Sequence, residues 1–251
     1  LHPRVRRQRQ MCIRDRINAA QISAYMDTFL SDESHEHMVM PGMVYISQPT
    51  EYGTLYSRKE LTALNEACRR YHLPLYVDGA RLAYALASPD NDVTLKDLAR
   101  LCDVFYIGGT KCGAFFGEAV VIPDPALIPH LFTIIKQHGA LFAKGRILGI
   151  QFDALFTDDL YLHIGESAID CAAAIKSALK ENGYQFFLET PTNQIFIILE
   201  DEVLHRLEEQ AEFSFWEKYD DSHTVIRIAT SWATTKEHTD ALIELLKMNR
   251  V

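Results

Sequence analysis

The fold is decided by LPLYVDGARL at residues 73–82 and DVFYIGGTKCGAFFGE at residues 103–118. Each stretch contains a short apolar run typical of a buried strand, which ends at a polar or glycine-rich turn. Asp78 follows the first run and Lys111 follows the second. Residues 94–101, which lie between them, have the apolar spacing of a helix. A strand, a helix and a strand in this order predict a parallel sheet, in which ligands bind beyond the carboxyl ends of the strands.

The chain on either side extends this pattern. Residues 17–30 have helical spacing, and the apolar run at residues 43–47 predicts a further strand. Ser57 and Glu60 predict a capping box for a helix that ends before Pro74. Beyond residue 157 we predict a long helix at residues 158–182 and two shorter helices at residues 203–210 and 236–246. Four strands are predicted at residues 185–188, 194–199, 212–217 and 224–229.

These elements predict two domains. Residues 17–157 form an α/β domain with a parallel sheet, and residues 158–251 form a smaller α+β domain that closes against it. The 251 residues are 48% hydrophobic and 24% charged, with a net charge of −9, which is ordinary for a soluble globular protein. An acidic chain without an apolar run long enough to span a bilayer predicts neither a nucleic-acid partner nor a membrane partner. Its five cysteines are odd in number and form no CxxC pair, which predicts reduced thiols and a cytoplasmic location.

The first sixteen residues, LHPRVRRQRQMCIRDR, differ in composition from the rest. They hold six of the 25 basic residues and one of the 34 acidic residues. A basic arm of this kind is compatible with a nucleic-acid tail or a transit peptide. However, the segment at residues 11–16 looks like a translated sequencing adapter. We therefore predict that residues 1–16 are a non-native leader, that the genuine sequence starts near Ile17, and that its N-terminal part has been lost.

Two side chains at the strand ends suit cofactor chemistry. Lys111 is bracketed by glycines, and partial desolvation there would lower the pKa of its ammonium group as Schiff-base formation requires. The alternative is a surface lysine in a glycine-rich turn. Asp78 is expected to face a cation, because an unpaired carboxylate after a buried strand is costly. Arg81 offers a fork for a carboxylate, the alternative being an internal Asp78–Arg81 ion pair. Together these residues suit pyridoxal phosphate, with the acid at the ring nitrogen and the lysine at the aldehyde.

At this point the chain resembles the low-specificity L-threonine aldolase and β-eliminating lyase family of fold-type-I pyridoxal-phosphate enzymes. The resemblance rests on the two stretches quoted above and on EHMVMPGMVYISQPTEYGTLY at residues 36–56. It implies an α/β fold like that of aspartate aminotransferase, with an incomplete large domain and a small C-terminal α+β domain. It also implies a homodimer or homotetramer that acts on a small amino acid.

The resemblance assigns roles residue by residue. Lys111 matches the Schiff-base lysine and Asp78 the partner of the pyridine nitrogen. Arg81 matches an arginine near the cofactor and the substrate carboxylate, and Arg227 matches the arginine that binds the substrate α-carboxylate. Thr50 and Thr110 match positions near the cofactor, Thr110 in the phosphate region. From its sequence context alone, Arg227 would be an exposed residue on an edge strand.

The implied reaction is cleavage of the Cα–Cβ bond of a β-hydroxy amino acid, with threonine giving glycine and acetaldehyde. Another fold-type-I enzyme, a β-eliminating lyase or an aminotransferase, is the alternative, as is an inactive fragment. Two departures from the family stand out. Lys144 or Arg146 stands where the family has a glycine-rich segment with arginine, and the family's N-terminal part, which supplies phosphate-binding and ring-stacking residues, is absent.

Other groups of residues carry weaker predictions. Glu33, His35 and His37 alternate in a polar segment, but their spacing does not favour a metal site. Tyr45, Tyr52 and Tyr56 are interpreted as packing residues rather than substrate contacts. Trp216 and Trp232 are interpreted as core or interface residues.

Overall fold

The computed structural model describes residues 16–249, so the predicted leader lies outside the described residues except for Arg16. The first half of the chain builds a four-stranded sheet in the order β1–β2–β3–β4. Strands β1, β2 and β3 are parallel and β4 is antiparallel to β3. The strands are β1 Val44–Ser47, β2 Leu75–Asp78, β3 Val104–Gly108 and β4 Glu118–Val121. The helices are α1 Ala19–Ser31, α2 Arg58–Arg70, α3 Leu82–Leu86, α4 Leu95–Leu101, α5 Leu131–Gln137, α6 Arg146–Phe156 and α7 Leu160–His163, with 3₁₀ turns at His35–His37 and Thr157–Asp159.

The second half builds an antiparallel sheet in the order β5–β6–β8–β7. Its strands are β5 Gln185–Leu188, β6 Gln194–Glu200, β7 Ser214–Lys218 and β8 His223–Ala229, and its helices are α8 Glu166–Glu181, α9 Asp201–Glu208 and α10 Lys236–Met248. The fold is therefore the predicted combination of a mostly parallel α/β unit and a smaller α+β unit. No helix within residues 16–249 has the length and apolar character needed to cross a membrane.

Local signals account for the elements that the sequence predicted. Ser57 caps α2 by accepting from the Glu60 amide, while the Glu60 side chain accepts from the Ser57 amide, which confirms the predicted capping box. In the parallel strands the apolar residues alternate into the first core, as at Val44, Ile46, Leu75 and Val77. The second core lies between β6, β8 and the helices α8, α9 and α10, and includes Ile175, Ile197, Leu207, Ile226 and Leu246.

The predicted single helix over residues 158–182 is wrong. The chain is broken there, because Asp158 and Asp159 adopt left-handed backbone angles and Gly165 separates α7 from α8. A side chain at Gly165 would place its Cβ 2.7 Å from the Ala83 carbonyl oxygen, so the close packing of this segment on α3 requires glycine. Tyr161, which lies after the predicted domain boundary, is fully buried in the first core.

The ends of β2 and β3 approach each other closely at Gly79. The Gly108 amide donates to the Gly79 carbonyl at 3.0 Å, and a Cβ added at Gly79 would lie 2.0 Å from the backbone oxygen of Tyr106. We therefore expect Gly79→Ala to lower the free energy of unfolding by about 3 kcal/mol, because backbone must move to admit the methyl group. Urea unfolding checks this. Gly42→Ala is the control, since nothing lies within 4 Å of its added Cβ, and equal stability of the two variants would contradict the argument.

Candidate active site

The two residues that the sequence singled out lie at the same edge of the parallel sheet. Asp78 is the last residue of β2, and Lys111 lies three residues beyond the end of β3. The two strands are parallel neighbours, with Val77 opposite Phe105. Ser47, at the end of β1, lies opposite Asp78, and the Gln48 amide donates to the Asp78 carbonyl at 2.8 Å. The geometry thus gathers three strand ends at one edge, where ligands bind in α/β folds.

The Asp78 carboxylate is held by neutral donors. Tyr106 donates its hydroxyl to Oδ1, Tyr45 donates its hydroxyl to Oδ2, and the Ala80 amide donates to Oδ1 at 2.9 Å. In the described chain hydroxyls and an amide, and no basic side chain, hold this carboxylate, so the cation expected beside Asp78 stays a prediction for a bound ligand. Partial burial and the hydrogen bonds to Asp78 raise the pKa of both tyrosines, so that both hydroxyls keep their protons as donors.

Lys111 lies in the loop between β3 and β4, and its backbone is tightly held. Tyr84 donates its hydroxyl to the Lys111 carbonyl, and buried Tyr161 donates to the Gly108 carbonyl at 2.9 Å. Buried Cys112 points its thiol at the same Gly108 carbonyl, with its sulfur 3.2 Å from the oxygen. The Lys111 side chain is exposed, so the predicted desolvation is not seen. Within residues 16–249 nothing forms a hydrogen bond or an ion pair with its amine, which leaves a free primary amine on a loop with a hydrogen-bonded backbone.

Glu118 organises the start of this loop. The register of β3 and β4 places Glu118 opposite Gly108. Its carboxylate accepts from the Gly109 amide and from the Thr110 hydroxyl, the latter at 3.0 Å. Thr110 is exposed next to Lys111 but its hydroxyl is bonded to Glu118 rather than free. No local pattern singles out Glu118, because the antiparallel return of β4 brings it beside the loop that carries Lys111.

Two arginines meet near a single acid. The Arg81 guanidinium is paired with Glu51 at 3.8 Å, so the internal Asp78–Arg81 ion pair is not the arrangement found. Arg227 lies on β8, which is flanked by β6 and β7, and its side chain is half-buried. The interpretation of Arg227 as an exposed residue on an edge strand is therefore wrong. Burial, and then the positive charge of Arg81, lower the pKa of Arg227, while the negative charge of Glu51 opposes the shift.

The Arg227 guanidinium is incompletely satisfied. Its Nη1 donates to the Gln194 side-chain oxygen at 3.5 Å, and its Cζ lies 5.4 Å from the centre of the Trp216 ring. Its Nε is buried and has no hydrogen-bond acceptor in the described part of the chain. Two cations with one nearby carboxylate and one unpaired buried donor form a site suited to an anion such as a carboxylate.

Thr50 shapes the turn that carries Glu51. Its buried hydroxyl lies 2.8 Å from the Thr54 hydroxyl and accepts from the Thr54 amide at 3.1 Å. The Thr50 hydroxyl is therefore engaged inside its own turn. The turn is tied to the second sheet, since Thr192 donates its hydroxyl to the Gly53 carbonyl at 2.8 Å and the Gln194 amide group donates to the Glu51 carbonyl at 3.3 Å.

Lys176, on α8, holds the loop that makes these ties. Its ammonium donates to the carbonyls of Thr190 and Thr192, both at 2.7 Å. Burial lowers the pKa of Lys176 to about 8, with Lys180 adding to the effect and Glu189 and Asp90 opposing it. The loop at residues 190–194 therefore depends on a partly buried cation for its conformation.

This burial predicts a pH dependence of stability. Between about pH 8 and the ordinary lysine pKa the unfolded chain binds the Lys176 proton and the folded chain does not, so that stability rises with pH in this window. We expect Lys176→Met to lower the free energy of unfolding by about 1–3 kcal/mol at pH 7, because two carbonyls lose their donor. Urea unfolding at pH 7 and pH 10 should show this difference growing with pH. A difference that shrinks or stays constant would contradict the prediction.

The remaining residues predicted from the sequence lie away from the carboxyl ends of β1, β2 and β3, or are exposed. Lys144 and Arg146 are both exposed, at the start of α6. His35 and His37 lie in a 3₁₀ turn, and residues 16–249 contain no group of three acidic, histidine or cysteine side chains arranged to hold a metal ion. Tyr52 and Trp216 pack with Phe196 on one face of the second sheet, which agrees with the packing role predicted for them. Tyr45, in contrast, is a partner of Asp78 and not a packing residue alone.

Comparison with known sequences identifies relatives in the predicted family. The family model described as beta-eliminating lyase matches residues 12–213. The chain is 29% identical over 172 residues to the low specificity L-threonine aldolase of Pseudomonas aeruginosa, and 30% identical over 175 residues to that of a Pseudomonas species. Each alignment covers 68% of this chain and 50% of the relative. The chain thus spans about half the length of these curated relatives.

Solved structures agree with this result. A threonine aldolase of Leishmania major superimposes with a TM-score of 0.87 at 41% identity, over 94% of this chain and 68% of that one. A serine palmitoyltransferase of Sphingomonas wittichii (TM-score 0.64, 11% identity, 92% of this chain and 58% of that chain) and an aspartate aminotransferase of Thermus thermophilus (0.61, 13%, 87% and 60%) share the fold alone. These matches confirm the predicted fold type I. The chain belongs to the β-eliminating lyase family.

Proposed function

We propose that this chain carries the cofactor-binding and carboxylate-binding residues of a pyridoxal-phosphate-dependent lyase that cleaves threonine to glycine and acetaldehyde. The observation that supports it most directly is the arrangement of a free lysine amine and a carboxylate at the ends of neighbouring parallel strands, with two arginines beyond them. The relatives named as threonine aldolases support the choice of substrate.

The residues of this edge fit pyridoxal phosphate. Lys111 offers an amine that no described residue occupies. The Asp78 carboxylate accepts three hydrogen bonds, whereas a carboxylate has about four acceptor positions, so that one remains for a ring nitrogen. The buried, unpaired Nε of Arg227 fits an anionic group next to them. When bound, pyridoxal phosphate supplies an electron sink for the electron pair of the broken Cα–Cβ bond.

Each residue then has a distinct task. Lys111 binds the cofactor aldehyde through its amine, and Asp78 holds a proton at the ring nitrogen. Arg81 and Arg227 bind the α-carboxylate of the substrate, which fixes the direction of the Cα–Cβ bond. Thr110 lies beside Lys111 in the phosphate region, and Thr50 orders the turn that carries Glu51, the partner of Arg81.

The assembly is a homodimer or homotetramer in the cytoplasm. Several aromatic and aliphatic side chains between residues 115 and 150 support an interface, because they are exposed, including Phe115 (93%), Phe132 (66%), Phe142 (62%) and Ile150 (60%). The buried free thiols of Cys68, Cys102 and Cys112 support a reducing compartment. We also assign residues 17–157 to the large domain and residues 158–251 to the small domain, with α7 packing back onto the large domain through Tyr161.

A product assay tests the proposed reaction. The chain is incubated with pyridoxal phosphate and threonine, and acetaldehyde and glycine are measured in parallel with 2-oxo acids. Equal amounts of acetaldehyde and glycine are expected. Formation of a 2-oxo acid in their place would overturn the proposal in favour of an eliminating lyase or an aminotransferase, which share this fold. Formation of no product at all would support the reading of the chain as an inactive fragment.

A further inference from the structure

Three tyrosines lie side by side on one face of the parallel sheet. Tyr45, Tyr76 and Tyr106 come from β1, β2 and β3, at positions that alternate with buried apolar residues. Tyr45 lies opposite Tyr76, and their rings stack with centroids 5.1 Å apart. The Tyr106 ring lies 6.4 Å from the Tyr76 ring on the other side. Asp78 points from β2 to this same face, so its carboxylate lies between the hydroxyls of the two outer tyrosines.

Of the three tyrosines, the two outer ones donate to Asp78, and no hydrogen bond joins Tyr76 to it among the described residues. Tyr106 and the Ala80 amide use both acceptor positions of Oδ1, whereas Tyr45 uses one of the two positions of Oδ2. The carboxylate is therefore fixed at three points by donors from three different segments. Its one remaining acceptor position belongs to Oδ2. The arrangement leaves Asp78 neither freely rotating nor fully satisfied.

We propose that Tyr45 and Tyr106 are positioning residues. They fix the Asp78 carboxylate so that Oδ2 can accept a hydrogen bond from the protonated ring nitrogen of pyridoxal phosphate. This inference rests on the proposed function, because it assumes that Asp78 pairs with that nitrogen. The new element is that the hydroxyls of Tyr45 and Tyr106, from the two flanking strands, orient Asp78 toward the ring nitrogen. These hydroxyls act through Asp78 and do not touch the reacting atoms. Removing both hydroxyls releases the carboxylate to rotate toward water and weakens its hold on the proton of the ring nitrogen.

The sheet provides its own control. Tyr76 lies between the two donors on the same face and has the same kind of ring, but among the described residues it donates no hydrogen bond to Asp78. Replacing any of the three with phenylalanine keeps the ring and removes only a hydroxyl. Tyr76→Phe thus matches the other two substitutions in packing and differs from them in its effect on Asp78.

The experiment compares the wild-type chain with Tyr45→Phe, Tyr106→Phe, the double variant and Tyr76→Phe. Affinity for pyridoxal phosphate is measured by absorbance titration, and protonation of the ring nitrogen by ¹⁵N NMR of labelled cofactor across a pH series. We expect roughly tenfold weaker binding in the double variant and less than twofold change in Tyr76→Phe. In the double variant the ring nitrogen should lose its proton at lower pH than in the wild type.

A packing role for these tyrosines would alter the melting temperature but not the titration of the ring nitrogen, so the NMR readout separates the two. If the double variant matches Tyr76→Phe in both affinity and ring-nitrogen titration, the inference is overturned while the proposed function stands. If the wild-type chain itself binds no cofactor through Lys111, the proposed function fails, and this inference fails with it.

Discussion

Lys111→Ala is expected to abolish completely the visible absorbance band that pyridoxal phosphate gives when it is bound to a protein amine. The reason is geometric, because Lys111 offers a free amine in the loop after β3, and β3 ends beside the strand that carries Asp78. Arginine at the same position should also abolish the band, since it keeps the charge but not the nucleophilic amine. The effect is total, not graded, because the linkage either forms or does not form.

The control is Lys96→Ala, which removes another exposed lysine, from α4, and should leave the band unchanged. Reduction of the loaded wild-type chain with borohydride, followed by peptide mass spectrometry, should place the cofactor on Lys111 alone. A persistent band in Lys111→Ala, or label on a different lysine, would refute the role given to this residue.

Replacing Arg227 with methionine is expected to raise KM for threonine roughly 30-fold, since a charge-assisted pair with a carboxylate contributes about 2 kcal/mol. Stability should not fall. The native guanidinium has an unpaired buried Nε and lies close to Arg81, so its removal takes away an unfavourable charge, while methionine can still pack on Trp216. A binding role thus predicts a higher KM with unchanged stability, whereas a structural role predicts lower stability with an unchanged KM.

Steady-state kinetics and urea unfolding measure both effects in one variant. Arg206→Met serves as the control, because Arg206 is an exposed arginine on α9 in the same half of the chain. KM should be unchanged in that variant. An Arg227→Met chain that unfolds at lower urea and keeps its KM would indicate that Arg227 stabilises the second sheet and does not bind substrate.

Local signals made much of the fold predictable from sequence. The capping box at Ser57 and Glu60, and the alternating apolar residues around Tyr76, are encoded within a few residues of the chain. Helices α5 and α6 escaped prediction because both begin without a side-chain cap, at His130 and Gly145. Strand β4 escaped because it is short and lies at an edge of the sheet, with half its residues exposed.

The site was predictable only in part, for a physical reason. Asp78, Arg81 and Lys111 occur in recognisable local motifs, so their place at the strand ends follows from the sequence. Their partners come from distant segments: Tyr45 is 33 residues from Asp78, and Gln194 is 143 residues from Glu51. Such contacts arise from tertiary packing, to which no local spacing corresponds. The sequence alone accordingly predicts a packing role for Tyr45 and no role for Glu51.

The ties made by residues 190–194 have a consequence for how the protein loses its ligand. Arg81 lies just before α3 in the first half of the chain and Arg227 lies on β8 in the second. Around this loop the halves are joined by a few hydrogen bonds, such as those from Thr192 to Gly53 and from Ser88 to Pro191, and by Tyr52, which packs on Phe196 and Trp216. Mild urea or heat should part the two halves before either core melts. Carboxylate affinity is then the first property to disappear on denaturation, while the far-ultraviolet circular dichroism of both sheets and their helices persists.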